Sequence, residues 1–250
     1  MEDLDAPRMP SGAADLMLRT LAQFGLQSDE EVVFQSGRTA LYEAAVETLK
    51  AKHAVFPCGC TRRSVSDIGA YPGTCREGLP PGRTARAWRV RVKPSPVCFI
   101  DRLQGEHCEN IEEETGDFVI RRADGLFAYQ LAVVVDDEAQ GITDVVRGAD
   151  LLDSTPRQIF LQQQMDFASP RYLHVPVAVN ESGQKLSKQT LAPAVNGSSA
   201  ITRIRDILRF LHQPEPKATN LPDLWKEAAG NWNPLLIPAV LSAPAPPDYV

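Results

Sequence analysis

The stretch Gly183-Gln184-Lys185-Leu186-Ser187-Lys188-Gln189 sets two lysines three residues apart on a glycine-led loop. Two ammonium groups so spaced, with the Ser187 hydroxyl between them, can gather phosphate oxygens where negative charge builds on a transferring nucleotide. A short pattern of this kind also occurs in ordinary surface turns. A second constellation is Cys58-Gly59-Cys60, then Tyr71, then Cys75, in a stretch broken by Pro57, Gly69, Pro72 and Gly73. Three thiols in one turn-rich loop suit zinc, which takes four nitrogen, sulfur or oxygen ligands in a tetrahedron and holds thiolate at about 2.3 Å. Spacing alone leaves the fourth ligand open. Tyr71 would bind as phenolate against a free pKa of about 10, and His53 and Asp67 are alternatives. Cys98 and Cys108 read as structural, and His107 as an exposed turn residue.

The surrounding segments show what must hold these residues. Tyr172 to Val179 reads as a buried strand delivering the chain into the lysine loop. Thr155-Pro156-Arg157-Gln158 opens a helix, with threonine as N-cap, proline at the first helical position and glutamine completing a capping box. Phe127 to Val135 is almost continuously apolar, as a central parallel strand covered on both faces would be, and Asp136-Asp137 ends it. From Ala87 to Val92 the period is two, with Trp88, Val90 and Val92 on one side and Arg89 and Arg91 on the other. Two helices come earlier. Ser11 caps the first, whose stripe is Ala13, Leu16, Met17, Thr20, Leu21 and Phe24 and whose end is Gly25; Ser36 caps the second, with Leu41, Ala45 and Leu49 on one face. Ile201, Ile204, Leu208 and Leu211 mark a later amphipathic helix, and Pro244, Pro246 and Pro247 close a tail expected to be disordered.

At 250 residues and 43% hydrophobic, the chain suffices for one large α/β domain and a small insert. A net charge of −6 argues against non-specific coating of nucleic acid, although Arg83, Arg86, Arg89, Arg91 and Lys93 form a candidate RNA-facing patch. No apolar run approaches the roughly 20 residues needed to span a bilayer, and the first residues lack the basic-then-apolar order of a secretory signal. Five unevenly spaced cysteines fit a reducing compartment better than a disulfide framework, so a cytoplasmic protein is expected.

Several segments recur in a telling order: Glu2-Asp3-Leu4-Asp5-Ala6-Pro7-Arg8, Cys58-Gly59-Cys60-Thr61-Arg62, Asp117 to Gly125, Tyr129 to Asp137, Gly141-Ile142-Thr143, Val146 to Leu152, and Lys185-Leu186-Ser187-Lys188-Gln189. Together they closely resemble the glutamyl-Q tRNA(Asp) synthetases, a family of shortened relatives of glutamyl-tRNA synthetase, from Glu2 to about residue 212. The resemblance implies an α/β fold: a Rossmann-like class I synthetase catalytic domain, a parallel sheet with flanking helices, carrying a small zinc-binding insert. It implies activation of L-glutamate with ATP and Mg2+, then transfer of glutamate to the queuosine base at the wobble position of tRNA(Asp), by a monomer holding one zinc. On the matching positions, Glu2 would hold the substrate α-ammonium, and Tyr129 and Arg147 the rest of the glutamate. Cys58, Cys60, Tyr71 and Cys75 would be the zinc ligands. Leu186 and Lys188 would contact ATP, and the loop with Lys185, Ser187 and Lys188 would close on pyrophosphate. The chemistry agrees, since an arginine fork grips a carboxylate bidentately and a carboxylate pairs with an ammonium.

The expected division is 1–50 for the remainder of a first nucleotide-binding half, 51–115 for the zinc insert and connecting strands, 116–212 for the second half with the lysine loop, and 213–250 for a C-terminal helical segment and proline-rich tail. The family's glycine-containing histidine signature has no counterpart among His53, His107, His174 and His212, so a chain starting at Met1 is expected to lack the first βα unit of its sheet. Two other readings remain: a glutamyl-tRNA synthetase catalytic domain, and a zinc-bearing RNA- or protein-binding remnant without catalysis.

Overall fold

A computed structural model describes residues 1–250 except 6–8, 62, 66–68, 80, 188–189, 191, 193–194, 196–198, 247–248 and 250. Asp67, Lys188 and Pro247 therefore lie outside the described residues. In chain order the elements are α1 (Ala13–Gln23), α2 (Thr39–Ala51), β1 (Val55–Cys58), β2 (Ala87–Val90), β3 (Val97–Asp101), β4 (Gly105–Glu109), α3 (Ile111–Glu114), β5 (Val119–Arg121), α4 (Tyr129–Ala139), β6 (Asp144–Gly148), α5 (Thr155–Met165), β7 (Arg171–Val175), β8 (Val177–Val179), α6 (Ala200–Phe210), α7 (Leu221–Gly230) and β9 (Ser242–Pro244).

The main core lies where α2, α4 and α5 pack beside β2, β3 and β5. Tyr42, Val46 and Leu49 from α2 meet Leu131 and Val134 from α4, Phe160 and Leu161 from α5, and Val90 and Ile120 from the strands. Each such side chain contributes roughly 1.5–3 kcal/mol by leaving water. A second cluster joins Phe24 to Ile204 and Leu208 of α6 and Leu224 of α7. A third, of Phe56, Cys58, Tyr71 and Cys75, forms the small cysteine-bearing lobe. Parallel pairing occurs between β6 and β7 and between β8 and β9, whereas β1, β2 and β5 form an antiparallel sheet and β3 and β4 a hairpin.

The expected central strand at Phe127–Val135 is the helix α4. A short apolar run does not declare its period, and here Leu131, Ala132, Val134 and Val135 are buried because neighbouring helices wrap most of the α4 surface. Asp136 does not terminate a strand. It is buried on the helix, accepting from Gln35 Nε2 (2.8 Å), Arg38 Nε (2.7 Å) and the Tyr42 hydroxyl (2.9 Å). The capping box at Thr155 also does not form: Ser154 is the N-cap, and the Thr155 and Gln158 side chains turn toward Arg147 instead. Gly12 rather than Ser11 caps α1, whose Leu16, Met17 and Leu21 are largely exposed, so that Phe24 alone of the expected stripe is buried.

Among the described residues of the tail, Ser242–Pro244 forms a strand where disorder was expected. Ser242–Pro244 pairs in parallel register with Val177–Val179, and proline is tolerated because this is an edge strand. Cys98 and Cys108, read from sequence as structural, sit opposite one another across β3 and β4 with Cα atoms 4.1 Å apart and are joined by a disulfide, although the uneven cysteine spacing fits a reducing compartment better than a disulfide framework. His107 lies on β4, half-buried and edge-on to the Phe99 ring at 5.5 Å, rather than on an exposed turn.

Candidate functional site

Strands β6 and β7 run parallel with Arg147 in register against His174, which sets the two side chains next to each other. Arg147 is the hub. Its Nε donates to His174 Nε2 (3.0 Å), Nη2 donates to Thr155 Oγ1 and to Gln158 Oε1 (both 2.8 Å), and Nη1 lies 3.4 Å from the Tyr129 hydroxyl at the start of α4. Neither Asp144 nor Asp150 pairs with it: Asp144 takes Arg171 (2.7 Å) and Arg102 (3.3 Å), and Asp150 takes Lys185. Gln158 is only 2% exposed, and its Nε2 makes no close hydrogen bond among the described residues.

Charges of both signs surround this fork. Burial pushes the Asp137 carboxyl up to about 6; Asp136 and Glu2 add to the rise and Arg147 opposes it. Glu2 opens to solvent at the rim, yet withdrawal from water, with Asp136 assisting, raises its carboxyl against the pull of the chain's own ammonium and Arg147. Burial likewise raises the Tyr129 phenol, with Glu2 adding and Arg147 opposing. Glu2, Tyr129 and Arg147, chosen from sequence, are therefore within electrostatic reach of one another. Asp137, Thr155, Gln158, His174 and Asp101 complete the arrangement and were missed. Sequence offered one hint for them, a histidine in the middle of an otherwise apolar strand.

The lysine loop folds back on β8. Asn180 N donates to Gln184 O (2.9 Å), Gly183 takes a φ of 74°, and Leu186 N donates to Ala178 O (3.0 Å). Lys185 is bound by Asp150, two residues beyond Gly148. A Cβ at Gly148 would stand 2.5 Å from Asp150 Oδ1, so glycine here lets the carboxylate lie against the strand end. The Ser187 amide is held by Thr190 Oγ1 (2.9 Å). Leu186 lines an apolar cavity of about 270 Å³ with Ala178, Phe210 and Tyr249.

In the cysteine lobe, Cys58, Cys60 and Cys75 bring their sulfur atoms within 4.8 Å of one another. The Cys60 and Cys75 sulfurs are 3.7 Å apart, close to the roughly 3.8 Å edge of a tetrahedron with 2.3 Å bonds. The Tyr71 hydroxyl lies 3.5 Å from Cys58 Sγ and 3.9 Å from Cys60 Sγ, whereas His53 sits in the turn after α2, outside the cluster. Burial acts to raise the Cys58 thiol, but hydrogen bonds from Tyr71, Cys60 and Arg89 outweigh it and leave Cys58 below its ordinary value. Burial and the bond to Cys58 hold the Tyr71 phenol well above its own. Gly116 permits this packing, since a Cβ there would fall 2.4 Å from Tyr71 O. Of the candidate basic patch, Arg89 stacks on the Tyr71 ring at 3.9 Å and Arg91 binds Glu77 (3.1 Å), while Arg83, Arg86 and Lys93 face solvent.

The family model for the catalytic domain of class I tRNA synthetases (E and Q) matches residues 83–210. A glutamyl-Q tRNA(Asp) synthetase of Chromobacterium violaceum is 50% identical over 247 residues, covering 96% of this chain and 83% of that one. One of Aromatoleum aromaticum is 49% identical, covering 98% and 81%. Among solved structures, a glutamate-tRNA synthetase from Elizabethkingia anophelis superposes with a TM-score of 0.80 at 17% identity, covering 99% of this chain and 60% of that one, a likeness of fold. No described helix is long and apolar enough to cross a membrane.

Proposed function

The chain belongs to the glutamyl-Q tRNA(Asp) synthetases, class I synthetase-like ligases, and from that premise we propose that it activates L-glutamate with ATP and transfers it to the queuosine base of tRNA(Asp). The observation that carries the reading is the Arg147 fork beside Tyr129, with Glu2 and Asp137 as nearby acids. A fork, a phenol and an acidic rim match an amino acid whose carboxylate and ammonium must be held at opposite ends. Arg147 and Tyr129 receive the substrate carboxylate in this assignment, and Glu2 takes the α-ammonium.

Lys185, Ser187 and Lys188 are assigned to the phosphates of ATP, accompanied by Mg2+, and Leu186 to the wall beside the nucleotide. Lys185 is engaged by Asp150, so ATP competes with that carboxylate for the ammonium. Lys188 is assigned from its place in the loop alone. Cys58, Cys60, Cys75 and Tyr71 would hold one zinc: three clustered sulfurs and a hydroxyl supply four donors of the right kind, and the ion would brace the small lobe. A cytoplasmic monomer accords with these substrates.

Glutamate-dependent pyrophosphate exchange in the absence of tRNA tests the first step. Transfer of labelled glutamate to tRNA(Asp) with and without queuosine tests the second. Charging of tRNA(Glu) in place of queuosine-bearing tRNA(Asp) would replace this reading with glutamyl-tRNA synthetase.

A further inference from the structure

The geometry points to Asp101 and His174 as positioning residues for glutamate recognition: they fix the orientation in which Arg147 presents its guanidinium to the substrate. The inference rests on the assignment of Arg147 above. The side chains of His174 and Asp101 are both 0% exposed, so they act through Arg147 rather than on a ligand.

The proton arrangement follows from the donors. Arginine Nε–H can only donate, so His174 Nε2, 3.0 Å away, must offer its lone pair. The imidazole proton then sits on Nδ1 and is donated to Asp101 Oδ2 at 2.7 Å. Asp101 is itself immobile, because Oδ1 accepts from the backbone amides of Leu103 (2.9 Å), Gln104 (2.8 Å) and His174 (3.2 Å). Burial alone would raise the Asp101 carboxyl, and these bonds instead leave it below its ordinary value, hence ionised. Burial lowers His174, with Arg147 assisting and Asp101 opposing, which favours the neutral ring this arrangement needs. A chain of directed bonds thus runs from the β3–β4 turn through β7 to the fork on β6. His174 occupies Nε and Thr155 and Gln158 occupy Nη2, so Nη1, beside the Tyr129 hydroxyl, is the nitrogen that meets a substrate carboxylate.

Asp101→Asn tests this without removing the turn's acceptor. The carboxamide so introduced can keep its oxygen on the three amides, which turns its NH2 toward His174 Nδ1. The imidazole must then accept there and carry its proton on Nε2, facing the Arg147 Nε–H, donor against donor. A wrong tautomer imposed by an Asp-to-Asn change has large effects where a histidine must accept. The expected result is a glutamate affinity weaker by roughly tenfold to a hundredfold in calorimetry on the full chain, as for an unmet buried hydrogen bond. A matching rise in glutamate KM should appear in pyrophosphate exchange, with ATP KM nearly unchanged and the 15N signals of His174 reporting the switched tautomer. His174→Gln, which can accept from Arg147 and donate to Asp101, should keep most of the affinity that His174→Leu loses.

A folded Asp101→Asn variant with the switched tautomer and wild-type glutamate affinity would overturn the proposal. If that variant does not fold, equal affinities of His174→Gln and His174→Leu would overturn it. Arg147→Leu, run alongside, separates the two levels: normal glutamate binding by that variant means the pocket assignment itself has failed.

Discussion

Asp137 contributes a stability cost whose size and pH window can be worked out. Burial, with Asp136 and Glu2 adding, lifts its carboxyl from 3.8 to about 6. In the ionised folded state that rise corresponds to about 3 kcal/mol at roughly 1.36 kcal/mol per tenfold change. Asp137 is half-buried, and solvent screening reduces the figure to about 1–2 kcal/mol. Below about pH 4 the group is protonated in both folded and unfolded chains and costs nothing. Between about 4 and 6 the folded state binds more protons, so stability falls as pH rises, and above 6 the cost is constant. Asp137→Asn removes the titration. In urea unfolding at fixed metal content from pH 4 to 8, the variant should match the wild type at the acid end and exceed it by about 1–2 kcal/mol above pH 7. A difference between the two proteins that does not grow with pH would refute the reasoning, because it would show that Asp137 ionises in the folded chain as freely as in the unfolded one.

The purified protein should carry about one zinc per chain by metal analysis, and Cys75→Ala should lose it; metal-free protein with Cys58, Cys60 and Cys75 all freely titratable would remove the site. Lys188→Ala should lower glutamate-dependent pyrophosphate exchange by about a hundredfold or more with the fold intact, as for loss of a preorganised charge contact, and unchanged exchange would reduce the loop to a surface turn. Arg147→Leu should weaken glutamate binding by several kcal/mol while ATP binding changes little, and Arg147→Lys should rescue poorly because one ammonium cannot meet His174, Thr155 and Gln158 together.

The chemistry-bearing residues were legible one by one. Cys58, Cys60 and Cys75 stand close enough in sequence that a few turn residues suffice to gather them, and Lys185 and Ser187 share a loop that Gly183 lets turn. Local period was legible in part where one face is buried: Val90 and Val92 are buried while Arg89 and Arg91 are only half-buried, α6 buries Ile204 and Leu208, and α2 buries Ala45 and Leu49 although Leu41 of the same stripe is exposed. The same reasoning failed at Tyr129–Val135, where burial on most sides erases the period that separates helix from strand. It failed again at Thr155, a good cap by local rules whose hydroxyl is drawn instead to Arg147 and His174.

What tertiary structure decided is how the arginine is held. Arg147, His174 and Asp101 are far apart in sequence, and no spacing rule links them. Only the parallel register of β6 with β7, and the return of the β3–β4 turn beside β7, brings a buried carboxylate to a buried imidazole and that imidazole to the guanidinium. The extension of Ser242–Pro244 was decided in the same way, because this segment has little reason to be extended until β8 offers it an edge. Sequence determines which groups can donate, accept or ligate, since that is covalent chemistry. Which donor meets which acceptor is settled by packing, since a buried polar group must find its partner wherever the fold supplies one.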